Sequence, residues 1–291
     1  MIKTLLITLL CWLTFGIIRL PWERHIVMEE KVAHLLIPPP PEGTADALEQ
    51  QLSIVSLGGL RSLVAAFLNI EAFDAFRTKN WVQLERRYRQ IVTLAPHNPY
   101  YWDIGSWHLA YNAASSTKED KKLSRAEQRK GHKDYIARGK SFLQQGIDNN
   151  PDDWLLYSKL GNMLSDPLRY PDYPAAAQAY QKSRQLGGSD IIARQEFYTR
   201  SRIPDQSAQA WQLGKKLFQE PENRQPSLVS TLFALQNKLN LPEAQRIPFH
   251  QLFPSDSLAI RYLRLQLKNG LGYPIDGVRA KLDELIEDAK H

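Results

Sequence analysis

The chain has 291 residues, of which 43% are apolar, and a formal net charge of +6. That length suffices for one elongated or two compact domains and that apolar fraction for a sizeable core, so disorder is not the default. Cys11 is the only cysteine, which excludes intrachain disulfides and cysteine-rich zinc sites, and the acidic residues are spread along the chain, so the charge alone selects no class of partner.

In chain order, the first predicted element is a membrane anchor over residues 1–22. Thr4 to Ile18 carry no charge, follow Lys3, and lead into Arg19, Leu20, Pro21 and Trp22. At about 1.5 Å per residue, Thr4 to Trp22 reaches about 28 Å, close to the roughly 30 Å hydrocarbon core, with Arg19 able to snorkel and Trp22 suited to the interface. A cleaved signal peptide has a similar start, but Thr14-Phe15-Gly16 is a poor cleavage site and two isoleucines follow at once. Leu10, in front of Cys11, is too large for a lipid-attachment signal. The reading is a single-pass protein of a bacterial inner membrane. Its helical domain is placed on the extracytoplasmic side, because long carboxy-terminal domains cross with little regard for flanking charge.

Residues 23–58 read as a juxtamembrane helix and linker. Glu23 to Ile37 brings Ile26, Val27, Leu35 and Leu36 onto or near one face, and Pro38 to Pro41 then form an extended spacer. Beyond this point strand-like alternation is sparse and apolar residues recur at helical spacing, as in Leu63, Phe67, Ile70 and Phe73, so the fold class is all-α. Asn98-Pro99 and Asn150-Pro151 fall where helices must stop, since proline disfavours the helical region for the residue before it.

Three stretches, Leu68 to Pro96, Trp102 to Pro151 and Tyr157 to Gly188, keep a common 34-residue register. With Pro96 at position 32, Tyr88 falls at 24, Ala72 at 8 and Leu68 at 4. In the second stretch Trp102 falls at 4 and Ser106 at 8, while Gly139, Leu143 and Gly146 occupy 20, 24 and 27 before Pro151 at 32. In the third, Tyr157, Leu160 and Gly161 occupy 4, 7 and 8; after a three-residue insertion Ala176, Tyr180 and Ser183 occupy 20, 24 and 27. Leu84 at 20 and Gly105 at 7 depart from the pattern. This arrangement of bulky and small residues resembles the tetratricopeptide repeat, and the stretch from Trp102 to Asn112 looks like an element of bacterial membrane-anchored proteins of that type. The resemblance implies antiparallel helix pairs over residues 59–188, stacked as a right-handed α-solenoid, and a role in holding other proteins. It also implies that positions 2, 5, 9 and 12 of each first helix line a concave groove, here Asn69, Tyr100, Asp103, Trp107, Ser158 and Asn162.

A basic insertion at 117–131 interrupts the second pair, within a segment from Lys118 to Lys140 that is rich in lysine and arginine. Lys121, Lys122, Arg125, Arg129, Lys130 and Lys133 form its patch. It reads first as a solvated connection and helix face, and in a second reading as a contact for anionic lipid or nucleic-acid phosphates. Tyr135 is the only aromatic residue within it, so a base-stacking platform is unsupported and nucleic acid is a poor partner.

Chemistry is hard to find. The histidines keep no metal spacing, Ser115 to Lys118 spells S-x-x-K without its partner motifs, and Gly270-Leu271-Gly272 continues into Tyr273-Pro274 rather than a dinucleotide loop. No catalytic residue, metal or cofactor is therefore assigned. From Ser189 the register fails, with Phe197 and Tyr198 at positions 7 and 8. Residues 189–291 read as degenerate helical repeats with breaks at Pro204-Asp205, Pro221 to Pro226, Leu241-Pro242, Pro254-Ser255 and Gly270 to Pro274. Asp205, Ser255 and Asp276 are candidate helix caps. The last segment puts Val278, Leu282, Leu285 and Ile286 on one stripe with charges elsewhere, as a terminal cap requires. The leading reading is a membrane-tethered scaffold or assembly factor that binds an unidentified protein or peptide through its groove. A lipid or nucleic-acid binder and a helical enzyme of unrecognised type are the alternatives.

Overall fold

The computed structural model describes residues 60–269 and 272–289. The anchor, juxtamembrane and proline-spacer readings lie outside them. Among the described residues every regular element is helical, and no helix is long and apolar enough to cross a membrane. The chain divides into two compact units, Met1–Phe67 and Leu68–His291, and every helix from Trp81 onward belongs to the second.

The helices are α1 (Arg61–Arg77), α2 (Trp81–Leu94), α3 (Pro99–Trp107), α4 (Ala114–Glu119), α5 (Arg125–Asn149), α6 (Trp154–Ser165), α7 (Tyr173–Gln185), α8 (Asp190–Ser201), α9 (Ser207–Gln219), α10 (Pro226–Lys238), α11 (Phe249–Leu252), α12 (Asp256–Asn269) and α13 (Val278–Asp288). Local chemistry sets many of the boundaries. Asn80, Asn98, Asp153 and Asp172 each accept a backbone N–H of the first turn they precede, and Pro99 begins α3 where its missing N–H is harmless. Ser124 and Glu127 close a reciprocal capping box on α5. α7 ends with Gly187 at φ 98° and the Gly188 N–H on the Ser183 carbonyl, a left-handed stop that glycine adopts freely. Of the three candidate caps further on, only Ser255 accepts a backbone N–H of the helix it precedes, from Leu258 at 3.4 Å. Asp205 lies inside a short 3-10 turn, and Gly277 rather than Asp276 stands at the start of α13.

From α4 to α11 each helix packs against the next, and first helices also touch across pairs: α3 meets α6, α8 meets α10 and α10 meets α12. The pairs close by fitting rings against residues without side chains. A Cβ on Gly161 in α6 would stand 2.7 Å from the Tyr180 ring of α7, and one on Gly146 in α5 would stand 2.6 Å from Trp102 Cβ in α3. Both rings are buried. The two departures from the register are absorbed the same way. Leu84 is fully buried, and Gly105 lies against the rings of Tyr88 and Phe142.

Helix packing continues across Gly188, with α8 against both α7 and α9. In the α8–α9 pair the sizes are exchanged. Phe197, fully buried on the first helix, lies against Gly214 on the second, where a Cβ would fall 2.3 Å from Phe197 Cε2. The register is lost by residue type while the large-against-small fit persists. One core then runs from Ala193 to Leu285, and it includes Trp211, Leu232, Phe253, Leu263, Val278 and Leu282.

The helical spacing of Leu63, Phe67, Ile70 and Phe73 is that of α1, on which each of these residues is more than half exposed while Ala65, Ala72 and Ala75 are buried. The basic insertion, read from sequence as a solvated connection and helix face, is mostly helix. A six-residue π-helical stretch, His108–Ala113, joins α3 to α4, and α5 has 25 residues against 13 in α7. Both arms of the second pair are thus lengthened, and the turn at the tip is fixed by Gln128, whose Nε2 donates to the Asp120 and Leu123 carbonyls.

A candidate binding face of rings and guanidinium groups

Residues equivalent in the register come together. Phe73 and Trp107 hold position 9 in successive pairs, and they belong to one connected run of rings. Phe73 is 6.2 Å from Phe76, Phe76 is 4.9 Å from His108, His108 is 5.2 Å from Trp107, and Trp107 is 6.5 Å from Tyr111, all between centroids. Phe73 and Trp107 are exposed, Trp107 by 43%. The Arg169 guanidinium then lies 4.2 Å over the Tyr111 ring, with Asp166 as its ion-pair partner at 3.8 Å. Tyr180 lies within electrostatic reach of Tyr111, Arg202 and Tyr273. Arg202 lies 4.0 Å over Tyr273 and 5.2 Å over Tyr173, and Tyr198 meets Tyr273 edge-on at 6.2 Å.

Burial tunes these groups. It holds His108 at about 4, so the ring is neutral near pH 7, and its Nδ1 accepts from Asn112 Nδ2 at 2.9 Å. Burial also raises Tyr111, Tyr198 and Tyr273, and takes Tyr180 to about 12. These hydroxyls stay protonated and act as donors. Tyr180 donates to Asn162 Oδ1 at 2.8 Å, as Tyr88 donates to Asn69 Oδ1 at 3.1 Å. Asn69 and Asn162 therefore tie each first helix to the position-24 tyrosine of its own pair.

The other groove candidates divide. Asp103 pairs with Lys159 at 2.9 Å and bridges the second and third pairs. Ser158 is buried, Tyr100 is exposed beside Tyr101 at 5.5 Å between centroids, and only Trp107 joins the ring run. Sequence reasoning missed Phe73, Phe76, Arg169, Arg202 and Tyr273. Phe73 and Phe76 occupy groove positions 9 and 12 of the first pair, and Arg202 is position 12 of a fourth pair once counting continues past Gly188. Tyr273 carried no register signal, because it comes from the loop before α13. Gln266 and Asn237 donate to the Pro274 and Asp276 carbonyls and hold that loop.

The basic patch is exposed. Lys130 pairs with Asp134 at 2.7 Å, whereas Lys121, Lys122, Arg125, Arg129 and Lys133 have no ion-pair partner among the described residues. A different charged cluster is internal. Glu196 is 2% exposed and accepts from Arg184 Nε at 2.9 Å and Arg200 Nε at 2.8 Å; Arg200 also donates to Gln181, Gln206 and Gln209. Every bond runs between α7, α8 and the start of α9, so the cluster fastens helices and offers few free donors. Among the described residues no group of three or more metal-binding side chains occurs.

No protein-family model matches the sequence, and no curated protein matches it.

Proposed function

We propose that this chain is a tetratricopeptide-like α-solenoid tethered to a bacterial inner membrane through residues 4–22, where it holds a segment of another protein as a scaffold or assembly factor. The observation that carries the reading is the ring run from Phe73 to Tyr111. Exposed aromatic residues recur at the same position of successive helix pairs and are braced by half-buried rings, as capture of an extended peptide or partner helix needs. Rigid aromatic side chains bury large area with little loss of conformational freedom.

Photo-crosslinking in membranes tests it. Full-length protein carrying a photoreactive phenylalanine at position 73 or 107 is expected to give a discrete adduct with another protein. The same residue at Glu287, exposed on α13, serves as control. Adducts at 73 and 107 no stronger than at 287 would count decisively against the reading.

A second reading rests on the hairpin tip, where the exposed Lys121, Lys122, Arg125 and Arg129 have no ion-pair partner among the described residues and suit an anionic lipid surface. Neutralising Lys121, Lys122, Arg125 and Arg129 together is expected to leave the crosslinks at Trp107 unchanged if the groove is the functional surface, and to abolish association if the tip is.

A further inference from the structure

We infer that Arg202, held between Tyr173 and Tyr273, is the binding point for the side-chain carboxylate of an acidic residue in the bound segment. This rests on the groove reading of the proposed function. Arg87, Arg169, Arg184 and Arg200 each have a carboxylate partner. Arg202 has none among the described residues: its guanidinium lies over two tyrosine rings, and its Nε is buried without a hydrogen-bond acceptor, as are the Nε atoms of Arg87 and Arg169, so what sets Arg202 apart is the missing carboxylate. Arg202 is half-buried, so its outer nitrogens carry a charge that no acidic side chain among the described residues answers, and a carboxylate in the bound segment would answer it.

The chemistry selects a monoanion. Arg202 supplies one positive charge, and Arg194, the cation felt at Tyr198, donates to Asn223 Oδ1. Phosphate dianions call for more charge than one guanidinium provides, whereas a carboxylate matches it in charge and in bidentate geometry. Burial keeps the Tyr198 and Tyr273 hydroxyls protonated, so neither competes as an anion. Arg202 also stands at position 12 of its pair, the position that Phe76 holds in the first, which puts the cation at the opposite end of the run from the apolar rings. A segment that fits both ends carries an apolar or aromatic residue and, further along, an aspartate or glutamate.

The test uses full-length protein in detergent micelles with 15N-labelled arginine. The Arg202 Nε–Hε resonance, assigned by its loss in R202K, is followed during titration with acetate, inorganic phosphate or chloride at matched ionic strength. A saturable shift with acetate, larger than with chloride and not exceeded by phosphate, is expected; equal shifts for all three, or none, would overturn the proposal, and a larger phosphate effect would overturn the choice of carboxylate. In parallel, a random peptide array is probed with wild type and R202Q. Selected peptides are expected to be enriched in aspartate or glutamate, and the amide version of a selected peptide to bind about tenfold more weakly or worse. R202Q should lose this discrimination. If R202Q fails to fold, R202K replaces it, since the charge stays and the two-pronged guanidinium goes, and it should weaken the discrimination. Peptides selected without acidic enrichment would sink the carboxylate site and leave the groove reading standing; a specific acetate shift with no peptides selected would do the reverse.

Discussion

Replacing Gly161 by alanine sets two physical effects against each other. Gly161 lies inside α6, where helix propensity alone makes alanine better by about 1 kcal/mol. The new Cβ would stand 2.7 Å from Cδ1 and Cε1 of Tyr180 and 2.9 Å from Cζ. Ordinary carbon contacts sit at about 3.5–4.0 Å, so the ring or the helix must retreat by about 1 Å. Tyr180 is fully buried, donates to Asn162 and accepts from Ser165 at 3.0 Å, so it cannot swing away without breaking both bonds. Overpacking of this kind costs about 1–3 kcal/mol, and a lost tyrosine hydrogen bond about 1 more. Set against the propensity gain, the net loss is about 2 kcal/mol, or a melting temperature lower by about 4–8 °C in a domain of this size. Thermal melts followed by circular dichroism on the wild type, G161A, Y180L and G161A/Y180L measure it. The double variant should lose less than the sum of the singles, because the smaller side chain relieves the clash. A G161A protein that melts at or above wild type, or strictly additive losses, would refute the close-packing argument for this pair.

Two further outcomes concern buried charge. Glu196→Ala strips Arg184 and Arg200 of their shared counter-ion in a site 2% exposed; breaking one side of such a pair costs about 3–5 kcal/mol, read as a shift of the urea midpoint, and a loss under 1 kcal/mol would show that solvent reaches the cluster. His108 gives a pH signature. Its folded value of about 4 lies below the ordinary 6.5, so its contribution is complete above about pH 6.5 and is lost as pH falls toward 4. Allowing for partial exposure, about 1–2 kcal/mol should go over that window. His108→Phe should flatten the acid limb of a stability–pH curve, and an unchanged limb would place the acid sensitivity elsewhere.

The helical class, the break at Asn98-Pro99, the cap at Ser255 and the small residues at Ala72, Ser106, Gly139, Gly161 and Ser183 were legible in the sequence, because each answers a local demand. A chain stop needs proline or an accepting side chain, and a close crossing needs a missing one. What stayed hidden depends on the partner across the contact. Leu84 is acceptable at a position that favours small residues because the space around it is built to suit, and the π-helical stretch between α3 and α4 leaves no mark in residue type. Which face of α1 is buried was not legible either, since Leu63, Phe67, Ile70 and Phe73 show only a helical spacing while Ala65, Ala72 and Ala75 are the buried residues. Among the candidate site residues, Trp107 was readable by register and Arg202 was not. Counting had stopped at Phe197 and Tyr198, and Tyr273, the other half of the Arg202 site, comes from a loop outside any pair.

The exchange of sizes between α6–α7 and α8–α9 explains why counting stopped there. A helix pair constrains the summed volume at each crossing, not which helix supplies it: Gly161 with Tyr180 and Phe197 with Gly214 fill the same kind of space from opposite sides. A pattern defined by residue type at each position loses the register at such an exchange, although the backbone spacing runs on.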